Sequence, residues 1–332
     1  MLNSTKQKGL CNLSEDSEQV VDADEEVFIL YTELQGQDYQ SLSSSGTFFR
    51  GLGHVDSHQD ILVVKFSLTN PAAASSASDT SSESFARSTS PRRARKKRET
   101  RAPDEIEFEI QIAQDKTSLR SRKGDTGSVV WRASVDFAFT ILRNAHFPLS
   151  GHISLLNLPQ LKNAHVLELG SGTGILGVAL SPFVRHYTCT DIHDLIPLLH
   201  KNLVLNFAKW PQESNVSLRT LDWIKLQKTT ASDRHRLFKF DPVDLLLIVD
   251  CIYHPSLVAP LLETINHMAV PDVTTVLVVV ELRAEDVIRE FLSCWLSFPG
   301  WEIWGIGKGK EAIMKKPYAI WVGMKHNPVN ND

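Results

Sequence analysis

Residues 165–177, HVLELGSGTGILG, leave few choices for the fold around them. An apolar run carrying one acid, Glu168, passes directly into three alternating glycines and then into a helix-like pattern over 175–180. Val166, Leu167 and Leu169 suit a buried strand, while Gly170, Gly172 and Gly174 permit a tight turn and the close approach of a ligand. The start of the following helix presents unpaired backbone N–H groups. Asp191 closes the next strand pattern, HYTCTD, about 20 residues further on, where an acid in such a unit accepts both hydroxyls of a ribose. The pattern predicts an adenosine-containing ligand.

Gly172, Gly174 and Gly177 also satisfy the GxGxxG spacing of dinucleotide enzymes, a weak match by itself. Glu168 argues against that reading, because a carboxylate two residues before the first glycine would repel a pyrophosphate. It suits a ligand bearing a positive charge and an amino group, and S-adenosylmethionine has both. The alternative role for Glu168 is to cap its own turn.

The rest of the chain is consistent with a globular enzyme. With 332 residues and 42% hydrophobic content it can bury a large core, and a formal charge of -4 gives no overall attraction to nucleic acid or anionic membranes. Four cysteines, at 11, 189, 251 and 294, form no Cys-x-x-Cys pair, which predicts reduced thiols in the cytoplasm or nucleus and no metal site. No apolar run reaches membrane-spanning length and the N-terminus has no secretory pattern, so neither membrane insertion nor secretion is expected.

Residues 1–25 are polar and acidic and are expected to be disordered. Alternation at 27–31, 61–66 and 106–112 reads as half-buried strands, which predicts a small β-rich N-terminal elaboration over 26–70. A flexible Ser- and Arg-rich linker is expected over 71–103. Its basic cluster at 92–98 suits nuclear import or a contact with ribosomal RNA, although a solvated charge run is the commoner role of such a segment.

From residue 104 to 326 the pattern is that of one catalytic domain. After the strand at 165–170, further strands are predicted at 186–191, 216–223, 243–253, 274–283, 301–306 and 318–324, with helices near 134–144, 174–181, 194–206, 255–269 and 285–297. Helices between the first five strands imply a parallel sheet covered on both faces. The loop before the last strand is too short for a crossover, so the final two strands should pair antiparallel. The expected fold class is α/β, a Rossmann-like, seven-stranded, mostly parallel sheet ending in an antiparallel hairpin.

Ligands of such sheets sit beyond the carboxyl ends of the strands. Candidates there are Asp191 on the second strand, Asp222 and Trp223 on the third, and Asp250, Cys251 and Tyr253 on the fourth. Trp223 suits contact with an adenine, its alternative being an ordinary core tryptophan. Asp250 and Tyr253 form an Asp-x-x-Tyr step in which a carboxylate attracts a cationic amine and a phenol orients it, a pairing suited to lysine; alternatively Asp250 caps the helix that starts near Pro255. His193, His200, His254 and His267 share no metal-ligand spacing with any cysteine.

Together VLELGSGTG, TDI, LDW and VDCIY resemble the seven-strand protein-lysine methyltransferases often called methyltransferase family 16. The preceding block, residues 110–134, is similar to the ribosomal lysine N-methyltransferase 5 group of fungi. That resemblance, over roughly residues 104–325, implies an S-adenosylmethionine-dependent enzyme that monomethylates a lysine of a large-subunit ribosomal protein. It implies that Trp131, Gly170, Ser171, Gly172, Asp191, Trp223 and Cys251 contact the cofactor and that Asp250 and Tyr253 line the lysine channel. Cys251 replaces an alanine common in relatives, and the 71–103 insert departs from any compact pattern. Other expectations compatible with these residues are a different protein substrate, such as an elongation factor or chaperone, and a non-catalytic module bound to ribosomes.

Overall fold

The computed structural model describes residues 6–42, 53–56, 58–70, 105–115, 126–148, 154–307, 313–314 and 317–327. The basic cluster at 92–98 and the rest of the 71–103 segment lie outside the described residues, as do 116–125. The chain opens with three two-residue strands, β1 (Gln7–Lys8), β2 (Cys11–Asn12) and β3 (Glu18–Gln19), followed by helix α1 (Ala23–Leu42). Strands β4 (Ile61–Thr69) and β5 (Glu105–Ala113) pair as a separate antiparallel ribbon. Then come α2 (Arg132–His146), α3 (Leu158–Leu161), β6 (His165–Leu169), α4 (Ile175–Leu180), β7 (His186–Asp191), α5 (Ile196–Asn206), β8 (Val216–Thr220), α6 (Trp223–Lys228) and α7 (Ala231–Leu237). The chain continues through β9 (Leu245–Val249), α8 (Pro255–Met268), β10 (Thr275–Glu281), α9 (Glu285–Ser297), β11 (Trp301–Ile306) and β12 (Tyr318–Lys325). Among the described residues, no helix is long and apolar enough to cross a membrane.

The central sheet has the order β3-β11-β12-β10-β9-β6-β7-β8. Strands β10, β9, β6, β7 and β8 run parallel, and β12 is antiparallel to both of its neighbours, β10 and β11. This is the expected mostly parallel sheet with its terminal hairpin. A dinucleotide domain would have six parallel strands instead. Strand order reverses between β6 and β9, because β6 leads to β7 on one side while β9 lies on the other. Such a switch point opens a crevice at the carboxyl ends of both strands.

The N-terminal expectations need correction. Residues 27–31 belong to α1 rather than a strand. Val27, Leu30 and Leu34 are buried at helical spacing and Phe28 is 68% exposed. The Asp22 side chain accepts the N–H groups of Asp24 at 2.7 Å and Glu25 at 3.0 Å, and three acids occupy the first turn, which favours the positive end of a helix. The apparent alternation came from a four-residue apolar run, where both periods fit. Residues 6–25 are also ordered: Cys11, Leu13 and Val20 are buried, and β3 pairs with β11 as an eighth strand that covers the sheet's edge. Average polarity concealed those three anchors.

The β4–β5 ribbon buries alternate residues, as expected, against α2 and α5. Asn202 of α5, fully buried, fastens it: its side chain accepts from Ala113 N at 2.7 Å and donates to Ala113 O at 3.0 Å and to Thr173 O at 2.9 Å. The end of β5 is thereby tied to the glycine turn. Beyond it, Gln114 accepts from Val130 N at 2.9 Å and Asp115 N bonds Ser128 O, which fixes the 126–131 segment over the crevice.

Candidate functional site

The apolar β6 ends at Leu169, and the chain turns through Gly170, Gly172 and Gly174, all with positive φ. Two of these glycines are dictated by close approach as well. A Cβ on Gly170 would lie 2.8 Å from Cys251 Sγ, and one on Gly172 would lie 3.0 Å from Gly127 O. Asp191, at the end of β7, reaches across: Oδ2 accepts Gly172 N–H at 2.8 Å and Oδ1 accepts Ile192 N–H at 2.8 Å. Ser171 Oγ accepts from Thr190 N at 3.0 Å, joining the turn to β7 a second time. The turn and the acid are one rigid unit.

Above it lies a cavity of about 790 Å³, a size suited to a nucleoside-containing ligand. Trp131, Gly170, Ser171, Gly172, Asp191, Trp223, Asp250, Cys251 and Tyr253 all line it. The folded chain therefore gathers nine of the ten residues singled out in the sequence. Trp223 is not on a strand, as expected, but opens α6, because the Asp222 side chain accepts Lys225 N–H at 3.0 Å and starts a helix there. Its indole Nε1 is buried without a hydrogen-bond partner, a donor available to an acceptor on a ring ligand. Asp250, Cys251 and Tyr253 likewise follow β9 rather than ending it.

Asp250, also in the cavity wall, has φ +61 and a carboxylate side chain only 3% exposed. It does not cap α8, whose N-cap is His254. Its backbone N–H donates to Val279 O at 2.7 Å, its Oδ1 accepts from Glu281 N at 3.3 Å, and its Oδ2 accepts from Arg283 Nη2 at 2.5 Å. Burial pushes the Asp250 carboxyl up from its ordinary range, and the Arg283 guanidinium works against that rise. Arg283 also bonds Glu281 Oε2 at 2.7 Å and lies 4.9 Å over the Trp131 ring. Sequence reading missed Arg283 and Glu281. The signal was present, since both close the fifth apolar strand, TVLVVVELR, at the carboxyl end where the other candidates were sought.

Glu168 is the exception among the ten. It is 3% exposed and is not among the residues that line the cavity; its carboxylate accepts from Tyr187 Oη at 2.9 Å. Burial raises its pKa from 4.5 to about 7, so it is not a fixed charge facing the ligand. What speaks against a dinucleotide domain is thus the antiparallel β12 beside β10, not this acid. S-adenosylmethionine fits the residues present: Asp191 would lie beside the ribose, Gly170, Gly172 and Gly174 keep the turn low, and Trp223 would offer an aromatic face.

A family profile described as lysine methyltransferase matches residues 110–295, more than half of the chain. The chain belongs to the lysine methyltransferase family. Within it, the chain is similar to ribosomal lysine N-methyltransferase 5 of Zygosaccharomyces rouxii, 27% identical over 53% of this chain and 65% of the relative. The same-named protein of Kluyveromyces lactis is 27% identical over 59% of this chain and 73% of the relative. A Schizosaccharomyces pombe protein named diaminohydroxyphosphoribosylamino-pyrimidine deaminase is 33% identical over 55% of this chain but only 41% of its own length. The chain thus spans well under two thirds of that protein and just under two thirds of the Zygosaccharomyces relative.

Asp191→Ala is expected to weaken S-adenosylmethionine binding by about 2 kcal/mol, roughly 30-fold. The change removes a charged acceptor for the ribose and strands Gly172 N–H. Calorimetric titration of both proteins measures this, and an unchanged affinity would remove Asp191 from the cofactor site.

Proposed function

We propose that this chain is an S-adenosylmethionine-dependent protein-lysine N-methyltransferase that monomethylates a large-subunit ribosomal protein. One observation carries the reading: a single cavity is lined by the glycine turn and Asp191 together with Asp250 and Tyr253. The names of the Zygosaccharomyces and Kluyveromyces relatives support the choice of substrate. When bound, S-adenosylmethionine supplies an electrophilic methyl group. Asp191 and Trp223 would hold its adenosine part, with Trp131, Ser171 and Cys251 completing the wall.

The protein's own task is to present the acceptor amine uncharged and aligned. A lysine with a pKa of about 10.4 costs about 4.6 kcal/mol to deprotonate at pH 7, and transfer from water into a channel offsets part of that. Tyr253 would orient the amine, and the rest of the effect is proximity. The segment at 92–98 belongs to the same proposal as a contact for ribosomal RNA, and nuclear residence beside the cytoplasm follows from the same cluster. Deleting 71–103 is expected to lower methylation of intact ribosomal subunits and alter cell distribution; no change in either removes that part.

The test incubates the protein with radiolabelled S-adenosylmethionine and hypomethylated ribosomal proteins, and resolves the labelled bands. One large-subunit band bearing monomethyl-lysine is expected. Label only on non-ribosomal proteins of an extract would replace the substrate, and cofactor binding without any label would replace the activity by a binding role.

A further inference from the structure

The acceptor end of the cavity is not faced by a bare carboxylate. Asp250 lines the cavity, yet its Oδ2 is already taken by Arg283 at 2.5 Å, and the same guanidinium holds Glu281 Oε2 at 2.7 Å. Arg283 does not itself line the cavity. It sits behind the wall, 28% exposed, over the Trp131 ring and against Gly53, where any Cβ would lie 2.4 Å from Nη2. Gly53 O accepts from Arg132 N at 2.7 Å and Trp131 Nε1 donates to Thr126 O at 2.7 Å. Gly53, Trp131 and Asp250, from three separate stretches of chain, thus meet on one guanidinium, and the last two line the cavity.

The charges matter as much as the contacts. A carboxylate beside an amine favours its protonated form, and the protonated form cannot accept a methyl group. An unpaired Asp250 would therefore hold lysine in its unreactive state. The titratable groups around Asp250 are Glu281 at the end of β10, Arg283 just beyond it, and Tyr318 of β12, whose phenol donates to Asp136 of α2 at 2.7 Å. Asp191 of β7 shares the cavity with it, and Cys251, Tyr253 and His254 follow it on its own loop. Arg283 is the one cation in that set.

Resting on the lysine methyltransferase reading, we propose that Arg283 is a positioning residue of the acceptor channel. By offsetting one of the two negative charges of Asp250 and Glu281 it lowers the pull of the wall on a protonated amine, so that lysine is received more readily as the free amine, and by stacking on Trp131 it holds the wall in place.

The charge role predicts shifts of opposite sign for two variants. Arg283→Met adds net negative charge and is expected to move the alkaline-rising limb of kcat/KM against pH upward by about one unit. Glu281→Gln removes a negative charge and is expected to move it downward, while Arg283→Lys stays near wild type. A purely structural defect would lower all rates without opposite shifts. A second measurement needs no turnover: calorimetric binding of N-acetyl-lysine amide to the protein saturated with S-adenosylhomocysteine, between pH 7 and 10. Wild-type affinity is expected to rise with pH as the probe loses its proton, and Arg283→Met is expected to flatten or reverse that rise. The same pH dependence in Arg283→Met as in wild type, or no binding of the probe by wild type, would overturn the proposal. Probe binding with the expected pH dependence but no labelled ribosomal protein would leave it standing and overturn the substrate reading instead.

Discussion

Asp250→Ala is expected to lower lysine methylation to about 1% of wild type or less while leaving S-adenosylmethionine affinity within about threefold. The expectation comes from how Asp250 is held. Its two carboxylate oxygens bond Glu281 N and Arg283, and these bonds fix the loop carrying Tyr253 to β10. An alanine leaves one backbone bond, Asp250 N to Val279 O, as the link from residue 250 to β10, and a misplacement of about 1 Å is enough to cost a hundredfold in rate. Stability should fall as well, by about 2–4 kcal/mol, because Arg283 loses one of its two partners and alanine tolerates φ +61 less well than aspartate. Asp250→Asn keeps an acceptor for Glu281 N and tolerates the positive φ, so it should be more stable than the alanine variant and recover part of the rate. Thermal unfolding beside single-turnover rates at a temperature where all three are folded separates these effects. Full activity in the alanine variant would remove Asp250 from the acceptor channel.

The sequence was most informative where one physical requirement acts on consecutive residues. The run VLELGSGTG must be a buried strand and a glycine turn, and it is; β7, β11 and α9 have the very bounds expected, because each is closed by a distinct chemical signal such as Asp191 or Gly300. The antiparallel end of the sheet followed from loop length alone. What was hidden depends on contacts remote in sequence. Helix α1 was read as a strand because its short apolar run fits both periods until α9 supplies the surface for Val27, Leu30 and Leu34. Asp250 was read as an open carboxylate because its partner Arg283 is 33 residues away. Glu168 illustrates the subtler case. Its place before the turn was legible, but the direction of its side chain depends on Tyr187, which lies on the neighbouring strand.

Glu168→Gln is expected to make the protein more stable at pH 8 and to change nothing at pH 4.5. The Glu168 carboxyl is buried and its pKa rises from 4.5 to about 7, chiefly through desolvation, with the Tyr187 hydrogen bond opposing the rise. Between those two values the native state binds a proton that the unfolded state has released, so stability falls as pH rises. The favourable contribution is complete below about pH 4.5 and is lost by about pH 7, beyond which the native carboxylate is ionised in an apolar site. Two and a half units correspond to about 3 kcal/mol. Glutamine keeps the shape and an oxygen for the Tyr187 hydroxyl but never ionises, so it escapes that loss. Thermal melts at pH 5 and pH 8 should show a difference between variant and wild type that widens by about 5 °C or more. A constant difference would place the native pKa near 4.5, and a glutamine variant less stable at pH 8 would mean the ionised acid has a cation for company. The same titration bears on the ligand. If a bound sulfonium is felt by Glu168, S-adenosylmethionine should release a proton on binding near pH 7, read as a buffer-dependent binding enthalpy, and the glutamine variant should release none.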